Sequence, residues 1–232
     1  MKRVLVVALL LLVLALGAGG GYLTGDYLDT PKPSTSGVAV PLGDVSPSES
    51  PLPVKTPIPS NVTALETGLD YTRHTFTVTP KGQPAVQLSV ETPAGWRLSR
   101  DPKAPGEVKY LDKLRERGVR IEAEEPATRT TSDAMAQLVV DLKSSQAPEN
   151  DLRILSQTDE QVEGDDGDQR KVSTLVYTYI PNKTLRYVIV RWVATGNDDL
   201  TTVEMSITGL PQDAPALDEV LEAATRSVHE IG

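Results

Sequence analysis

The sequence predicts an α+β fold in which a mainly antiparallel β-sheet is covered by two helices. Residues 171–180, 185–194 and 202–208 are rich in β-branched and aromatic side chains that alternate with the period of a strand. Short turns containing Pro, Asn, Asp and Gly separate these segments, so they form an antiparallel meander. The apolar face of a meander must be covered, and two stretches with apolar residues at helical spacing can cover it.

Five further segments have the strand pattern, at residues 71–79, 86–91, 108–111, 119–123 and 151–157. The second of these ends in the turn Pro93-Ala94-Gly95-Trp96. The charged stretch 112–118 predicts either a hairpin turn or a short helical turn. In the last strand of the meander, Glu204 and Ser206 alternate with apolar residues, so we expect that strand to have one face in water.

Two amphipathic helices are predicted, one before the meander and one after it. The first begins at the candidate N-caps 130–132, and its apolar stripe is Met135, Leu138, Val139 and Leu142. The second has the stripe Leu217, Val220, Leu221, Ala224 and Val228. We expect Asp213 to cap the second helix and His229 to lie in its last turn. Leu221 should be buried, whereas Glu222 should lie on the opposite, exposed face.

The amino-terminal segment has the pattern of a membrane anchor. Lys2 and Arg3 precede thirteen apolar residues, and a helix over residues 4–23 is about 30 Å long, enough to span the hydrocarbon core. The basic start keeps the amino end in the cytoplasm. We therefore expect residues 1–28 to form a single-pass anchor with the rest of the chain outside. The alternative is a signal peptide, cleaved at Ala15-Leu16-Gly17, that yields a secreted protein.

Residues 29–64 are expected to form a disordered stalk, and residues 65–232 the folded extracytoplasmic domain. The stalk holds 8 of the chain's 18 prolines, together with many Ser and Thr residues, and has no sustained periodicity. The chain has no cysteine, so disulfides and an acylated cysteine are excluded and the domain depends on a packed core. We expect that core to fold without the stalk.

Composition and motifs exclude several classes of function. The formal net charge of -9 argues against nucleic acid and anionic lipid as partners of the folded part. The sequence contains no Gly-x-Ser-x-Gly elbow, phosphate-binding loop or His-Glu-x-x-His motif, so hydrolase and nucleotide chemistry have no support. His74 lies on a predicted strand among apolar residues, and His229 lies near the end of the last predicted helix. Neither position is typical of a general base. The acidic turn Asp165, Asp166 and Asp168 lacks the spaced ligands of a calcium loop, so no metal or cofactor is predicted.

Three features together resemble a known family: the order of elements, the turn Thr92-Pro93-Ala94-Gly95-Trp96, and the terminal helix. The chain from about Leu65 resembles the PsbP-like fold, and in particular the actinobacterial LpqN-type secreted proteins, which carry an anchored leader, a low-complexity spacer and one such domain. This chain departs from the lipoprotein members because it lacks the acylated cysteine. The resemblance implies a binding or accessory role outside the membrane, and it supplies no catalytic residue.

Two functions from different classes remain. The first is a membrane-tethered extracytoplasmic binding or adaptor domain of the cell envelope, with an envelope protein or a small molecule as its partner. Trp96 and Trp192 are its candidate ligand or partner surface, although large aromatic residues at a sheet rim also anchor cores. The second is a secreted enzyme that uses Glu122 with Glu124 or Glu125. A raised carboxyl pKa in a deep pocket favours the enzyme, and an exposed shallow surface favours the binding domain.

Overall fold

The computed structural model describes residues 53–196 and 198–231. The predicted anchor, residues 1–28, and most of the predicted stalk lie outside the described residues. The strands are β1 (Tyr71–Val78), β2 (Val86–Pro93), β3 (Arg97–Ser99), β4 (Glu107–Leu111), β5 (Gly118–Ala123), β6 (Arg153–Glu163), β7 (Gln169–Tyr179), β8 (Arg186–Val193), β9 (Val203–Gly209) and β10 (His229–Glu230). The helices are α1 (Thr131–Ser145) and α2 (Ala214–Ser227). The predicted α+β class, mainly antiparallel with two helices, is confirmed for this part of the chain.

The strands form two antiparallel sheets. The main sheet has seven strands in the order β3-β4-β5-β9-β8-β7-β6, and the small sheet has three in the order β1-β2-β10. The predicted meander is the continuous run β7, β8 and β9 in the main sheet. Its alternation is as expected, because Val172 and Val176 on β7 face one core while Leu175 and Tyr177 face the other. The charged stretch 112–118 is a hairpin turn between β4 and β5.

Helix α1 covers one face of the main sheet. Its N-cap is Thr130, whose hydroxyl accepts a hydrogen bond of 3.1 Å from the backbone N–H of Asp133. The buried side of the helix packs on β7 and β8 through Ala134, Met135, Val139 and Leu142. The first predicted helix is therefore confirmed in position, cap and buried stripe.

The opposite face of the main sheet is covered by α2 together with the small sheet. A single core joins β5 and β9 to Leu217 and Val220 of α2 and to Leu88 and Val90 of β2. Both helices cover the main sheet as expected, but the small sheet shares one face with α2, which the sequence did not predict. The turn after β2, in which Gly95 has a φ of +81°, separates β1 and β2 from the main sheet and allows them to fold over its face.

The end of the chain differs from the sequence prediction in two places. Asp213 does not cap α2, because its carboxylate accepts hydrogen bonds from the backbone N–H groups of Leu65 and Leu210 instead. His229 is not in the helix, which ends at Ser227; it lies in β10, paired with β2. The buried side chain of Arg170 donates hydrogen bonds to the terminal carbonyl groups of α2, which satisfies acceptors that no further helical turn can reach.

Residues 54–64, which the sequence analysis placed in the stalk, lie against the domain. The backbone N–H of Lys55 donates to the carbonyl of Glu149, and its ammonium donates to the side chain of Asn150 at 2.6 Å. The backbone N–H of Ile58 donates to the carbonyl of Lys183. The compact unit consequently begins at Val54 rather than at residue 65. Neither helix of the described ranges is long and apolar enough to cross a membrane.

Candidate functional site

The two tryptophans do not form a common surface. Trp192 is 1% exposed and belongs to the core beneath α1, where its indole N–H donates a hydrogen bond of 2.9 Å to Glu204. Trp96 is partly buried against the core that α2 and the small sheet share. Trp192 therefore anchors the main sheet, and only Trp96 retains some contact with solvent.

A row of three carboxylates crosses the α1 face of the main sheet. Glu107 on β4 lies directly opposite Glu122 on β5, and Glu122 lies opposite Glu204 on β9. Like charges in opposite positions destabilise a sheet, so the row requires a cation. Arg120 forms ion pairs with all three, and Lys109 pairs with Glu107 at 2.9 Å.

The predicted wet face of β9 is wrong at Glu204, although Ser206 and Thr208 on that face remain partly exposed. Glu204 is buried, and hydrogen bonds from Arg120 and from the Trp192 indole to its two carboxylate oxygens offset the cost of that burial. Alternation alone showed that Glu204 faces away from the apolar neighbours on its own strand. Its partners Arg120 on β5 and Trp192 on β8 reach it only because these strands pair with β9.

Burial raises the pKa of Glu122 to about 7, and the opposing effect of Arg120 is only partial because the neighbouring carboxylates Glu204, Glu124 and Glu107 also raise it. Burial and Glu204 likewise raise the pKa of Glu124, against the effect of Arg129. Glu122 therefore exchanges its proton close to neutral pH. The carboxylates selected for the enzyme hypothesis thus meet one of its two requirements.

The second requirement is a deep pocket, and the cleft beside α2 does not meet it, because neither Glu122 nor Glu124 lines that cleft. That cleft has a volume of about 450 Å³ and lies between α2 and residues 68–71, at the other face of the main sheet. Leu69, Tyr71 and Ala223 form its apolar part, and its four carboxylates are Glu91, Asp218, Glu219 and Glu222. Asp218, Glu219 and Glu222 are exposed on the outer face of α2, so the cleft is a shallow surface feature.

The acidic cleft continues onto the edge of the main sheet through Arg191. This buried side chain pairs with Glu222 of α2 at 2.9 Å and with Glu160 of β6 at 2.8 Å. The turn after β6 extends the same surface, because the backbone N–H of Asp165 donates to the carbonyl of Arg226 near the end of α2. Strand β6, its turn and α2 are thus neighbours in space.

We name this surface the acidic side and define it by seven exposed carboxylates: Glu160, Asp165, Asp166, Asp168, Asp218, Glu219 and Glu222. The arginines paired with them are Arg73, Arg170 and Arg191, and a fourth, the exposed Arg226, lines the cleft. Seven carboxylates against four arginines leave a negative surface. The sequence analysis identified only the turn 165–168 of this set, because the other members come from two elements that are distant in the sequence.

Among the described residues, neither histidine forms a hydrogen bond with another side chain. His74 stacks on Tyr110 with 4.6 Å between ring centroids, and burial lowers the pKa of its imidazole. The Nδ1 atom of His229 lies 3.0 Å from the carbonyl oxygen of Ser227. Within the described ranges, no His, Asp or Glu side chains are grouped in a way that could hold a metal ion.

Comparison with known proteins gives a likeness to solved structures only. No family model and no curated protein matches the chain. Among solved structures, the chain is similar to the Ran-binding protein Mog1p of Saccharomyces cerevisiae, with 13% sequence identity and a TM-score of 0.43. The match covers 68% of this chain and 96% of that chain.

Proposed function

We propose that this chain is a non-catalytic binding or adaptor domain, tethered outside the membrane of a bacterial cell, and that its acidic side binds a basic segment of an envelope protein. The observation that carries the proposal is the exposed group of seven carboxylates, which four arginines, Arg73, Arg170, Arg191 and Arg226, offset only in part. A surface of one sign attracts oppositely charged partners and raises their rate of association.

The shape of the surface favours a macromolecular partner. Small-molecule sites are concave and enclose most of their ligand, whereas the cleft beside α2 is shallow and bounded by exposed carboxylates. Its apolar part is formed by Leu69, Tyr71 and Ala223. Such a surface suits a chain segment that lies across it better than a small molecule that must be enclosed.

A titration with two short peptides of equal length and opposite charge tests the binding function. We expect a lysine-rich peptide to bind the full chain in detergent micelles, and to bind more weakly as salt is raised. The glutamate-rich peptide should not bind. The variant Asp218→Lys should weaken binding, whereas Asp101→Lys, which makes the same charge change in the loop between β3 and β4, should not. Equal binding of the two peptides, or equal effects of the two variants, contradicts the proposal.

The tether is supported by the basic start, the apolar length of residues 4–23 and the proline-rich segment that follows. The resemblance to LpqN-type proteins is consistent with this arrangement. Membrane fractionation, combined with determination of the mature amino terminus, tests it. A mature protein found in the medium and beginning near Ala18 would establish the signal-peptide alternative.

The enzyme alternative is favoured by one observation, the raised pKa of Glu122 beside Glu124. A general acid or base must also reach a substrate, and the carboxylate of Glu122 is held by Arg120 in the ion-paired row. Treatment with a carboxyl-directed reagent, followed by mapping of the modified residues, distinguishes the two functions. Selective modification of Glu122 near neutral pH would support an accessible catalytic carboxyl, and protection of Glu122 supports the binding domain.

A further inference from the structure

Strand β6 is the long outer strand of the main sheet. It has 11 residues, it pairs with β7 along its length, and it is the last strand in the sheet order. Nine of its residues are exposed, and Ile154 and Val162 are half-buried. Within residues 53–196 and 198–231, no other strand pairs with its free edge.

The free edge carries backbone groups that can pair with another chain. The register against β7 shifts between Ile154 and Ser156 and is regular from Ser156 to Glu163. In a regular antiparallel strand, every second residue directs its N–H and C=O away from the paired neighbour. Natural edge strands are commonly protected by proline, lysine or bulges, and the regular part of β6 contains none of these.

Charge determines which partner this edge can accept. Asp159, Glu160 and Glu163 lie in the regular part of β6, which contains no basic residue. A second copy of the chain brings the same acidic edge, so two β6 strands repel each other. A strand that carries lysine or arginine places opposite charges beside these carboxylates, and cross-strand pairs of opposite charge are stabilising.

We infer that the β6 edge binds an extended lysine- or arginine-rich segment of a protein partner, which adds to the main sheet as an eighth strand. This inference rests on the proposed function and specifies how the acidic side holds its partner. Main-chain hydrogen bonds to residues 156–163 provide the affinity, and the carboxylates of β6 select a basic sequence. The exposed carboxylates of α2, joined to β6 through Arg191, extend the same preference beyond the strand.

Two peptides of identical charge separate strand addition from simple electrostatic attraction. The first is a short peptide of alternating lysine and threonine, and the second has the same sequence with N-methyl groups on all of its central residues. N-methylation removes the donors of both peptide edges and keeps every lysine. We expect the unmodified peptide to bind the full chain in detergent micelles about tenfold more tightly or better, because several hydrogen bonds are lost in the other.

Amide hydrogen exchange locates the bound peptide. We expect the unmodified peptide to slow exchange at alternate residues between Ser156 and Glu163, since only those amides face the free edge. The variant Glu163→Lys should weaken binding severalfold. The control Asp101→Lys carries the same charge change in the loop between β3 and β4 and should leave binding unchanged.

The outcomes distinguish this inference from the proposed function. If both peptides bind equally and β6 amides are not protected, strand addition is wrong although a basic partner still binds. If neither peptide binds, both proposals fail. Protection of β6 amides without peptide, with dimers in sedimentation, would identify a second copy as the occupant. The same protection in a monomer, lost when residues 29–52 are deleted, would identify the chain's own stalk; either result overturns the inference.

Discussion

Arg117 donates two parallel hydrogen bonds to Asp213, from Nε to Oδ2 and from Nη2 to Oδ1, each 2.8 Å long. Arg117 ends the turn between β4 and β5, and Asp213 directly precedes α2. Asp213 is fully buried and Arg117 nearly so. Nη2 of Arg117 also donates to the carbonyl of Thr63, and Oδ1 of Asp213 accepts from the backbone N–H of Leu65. One ion pair thus joins three parts of the chain that are distant in sequence.

Replacement of Asp213 by Asn should lower the free energy of unfolding by up to about 3 to 5 kcal/mol, because the buried Arg117 then keeps only Asp112, 3.5 Å away, as a counter-ion. Urea unfolding at neutral pH measures this change. The matched control is Asp165→Asn, which removes an exposed ion pair with Arg73 and should cost about 1 kcal/mol or less. Equal effects of the two substitutions would show that the buried ion pair does not stabilise the contact between these three parts of the chain.

The same residue should make the protein sensitive to acid. Burial raises the pKa of Asp213. Hydrogen bonds from Arg117 and from the backbone N–H groups of Leu65 and Leu210 lower it by more, so the pKa lies below its ordinary value. Its stabilising effect is therefore complete above the pKa of an unfolded aspartate and is lost as the pH falls through the folded value. In the wild-type protein, the free energy of unfolding should therefore fall as the pH becomes acidic. This contribution to the fall should be absent in Asp213→Asn.

A chain that begins at Val54 should be as stable as the full chain, whereas one that begins at Glu66 should not. The longer deletion removes the contacts of Lys55, the carbonyl of Thr63 and the backbone N–H of Leu65. We expect a loss of roughly 1 to 3 kcal/mol, because the buried partners of these groups are left unsatisfied. Thermal unfolding of the two chains measures the difference. Equal melting temperatures would mean that residues 54–64 do not stabilise the domain.

Leu221→Ala should destabilise the domain by about 2 to 5 kcal/mol, since Leu221 is buried in the core that α2 shares with both sheets. The control is Asp218→Ala, an exposed residue of the same helix that forms no ion pair within the described ranges. Glu222 faces solvent as predicted but is a poor control, because it pairs with the buried Arg191. Similar small effects of Leu221→Ala and Asp218→Ala in a urea titration would show that α2 does not pack on the sheets.

Glu122→Gln should increase stability at neutral to alkaline pH. The pKa of Glu122 is raised to about 7 by burial, so the folded state favours its protonated form. Stability from this group is complete below the pKa of an unfolded glutamate and is lost as the pH rises to about 7. The loss is about 3 kcal/mol, and Gln should abolish it. Glu163→Gln, on the exposed edge of β6, serves as the control. A pH profile unchanged by Glu122→Gln would contradict the assignment.

The sequence by itself determined most of the secondary structure of the described residues. The alternation of Val172 and Val176 with Leu175 and Tyr177 is a property of neighbouring residues, and it was sufficient to assign β7 and both of its faces. The N-cap and apolar stripe of α1 are likewise local, because hydrogen-bonding and helical periods act over a few residues. The sequence also identified Glu122 as a candidate. Its raised pKa depends on burial and on neighbours from other strands, which the sequence does not show.

Tertiary structure alone decided the sheet arrangement and the candidate site. The fold of β1 and β2 over the main sheet, and the placement of β6 at its edge, depend on which strands pair across long separations. Asp213 has the position of a helix cap, but Arg117 and two backbone N–H groups take its oxygens. The acidic side exists because Arg191 brings Glu160 and Glu222 together. Charges act through space over several ångströms, so residues 62 positions apart can form one surface that no local pattern reveals.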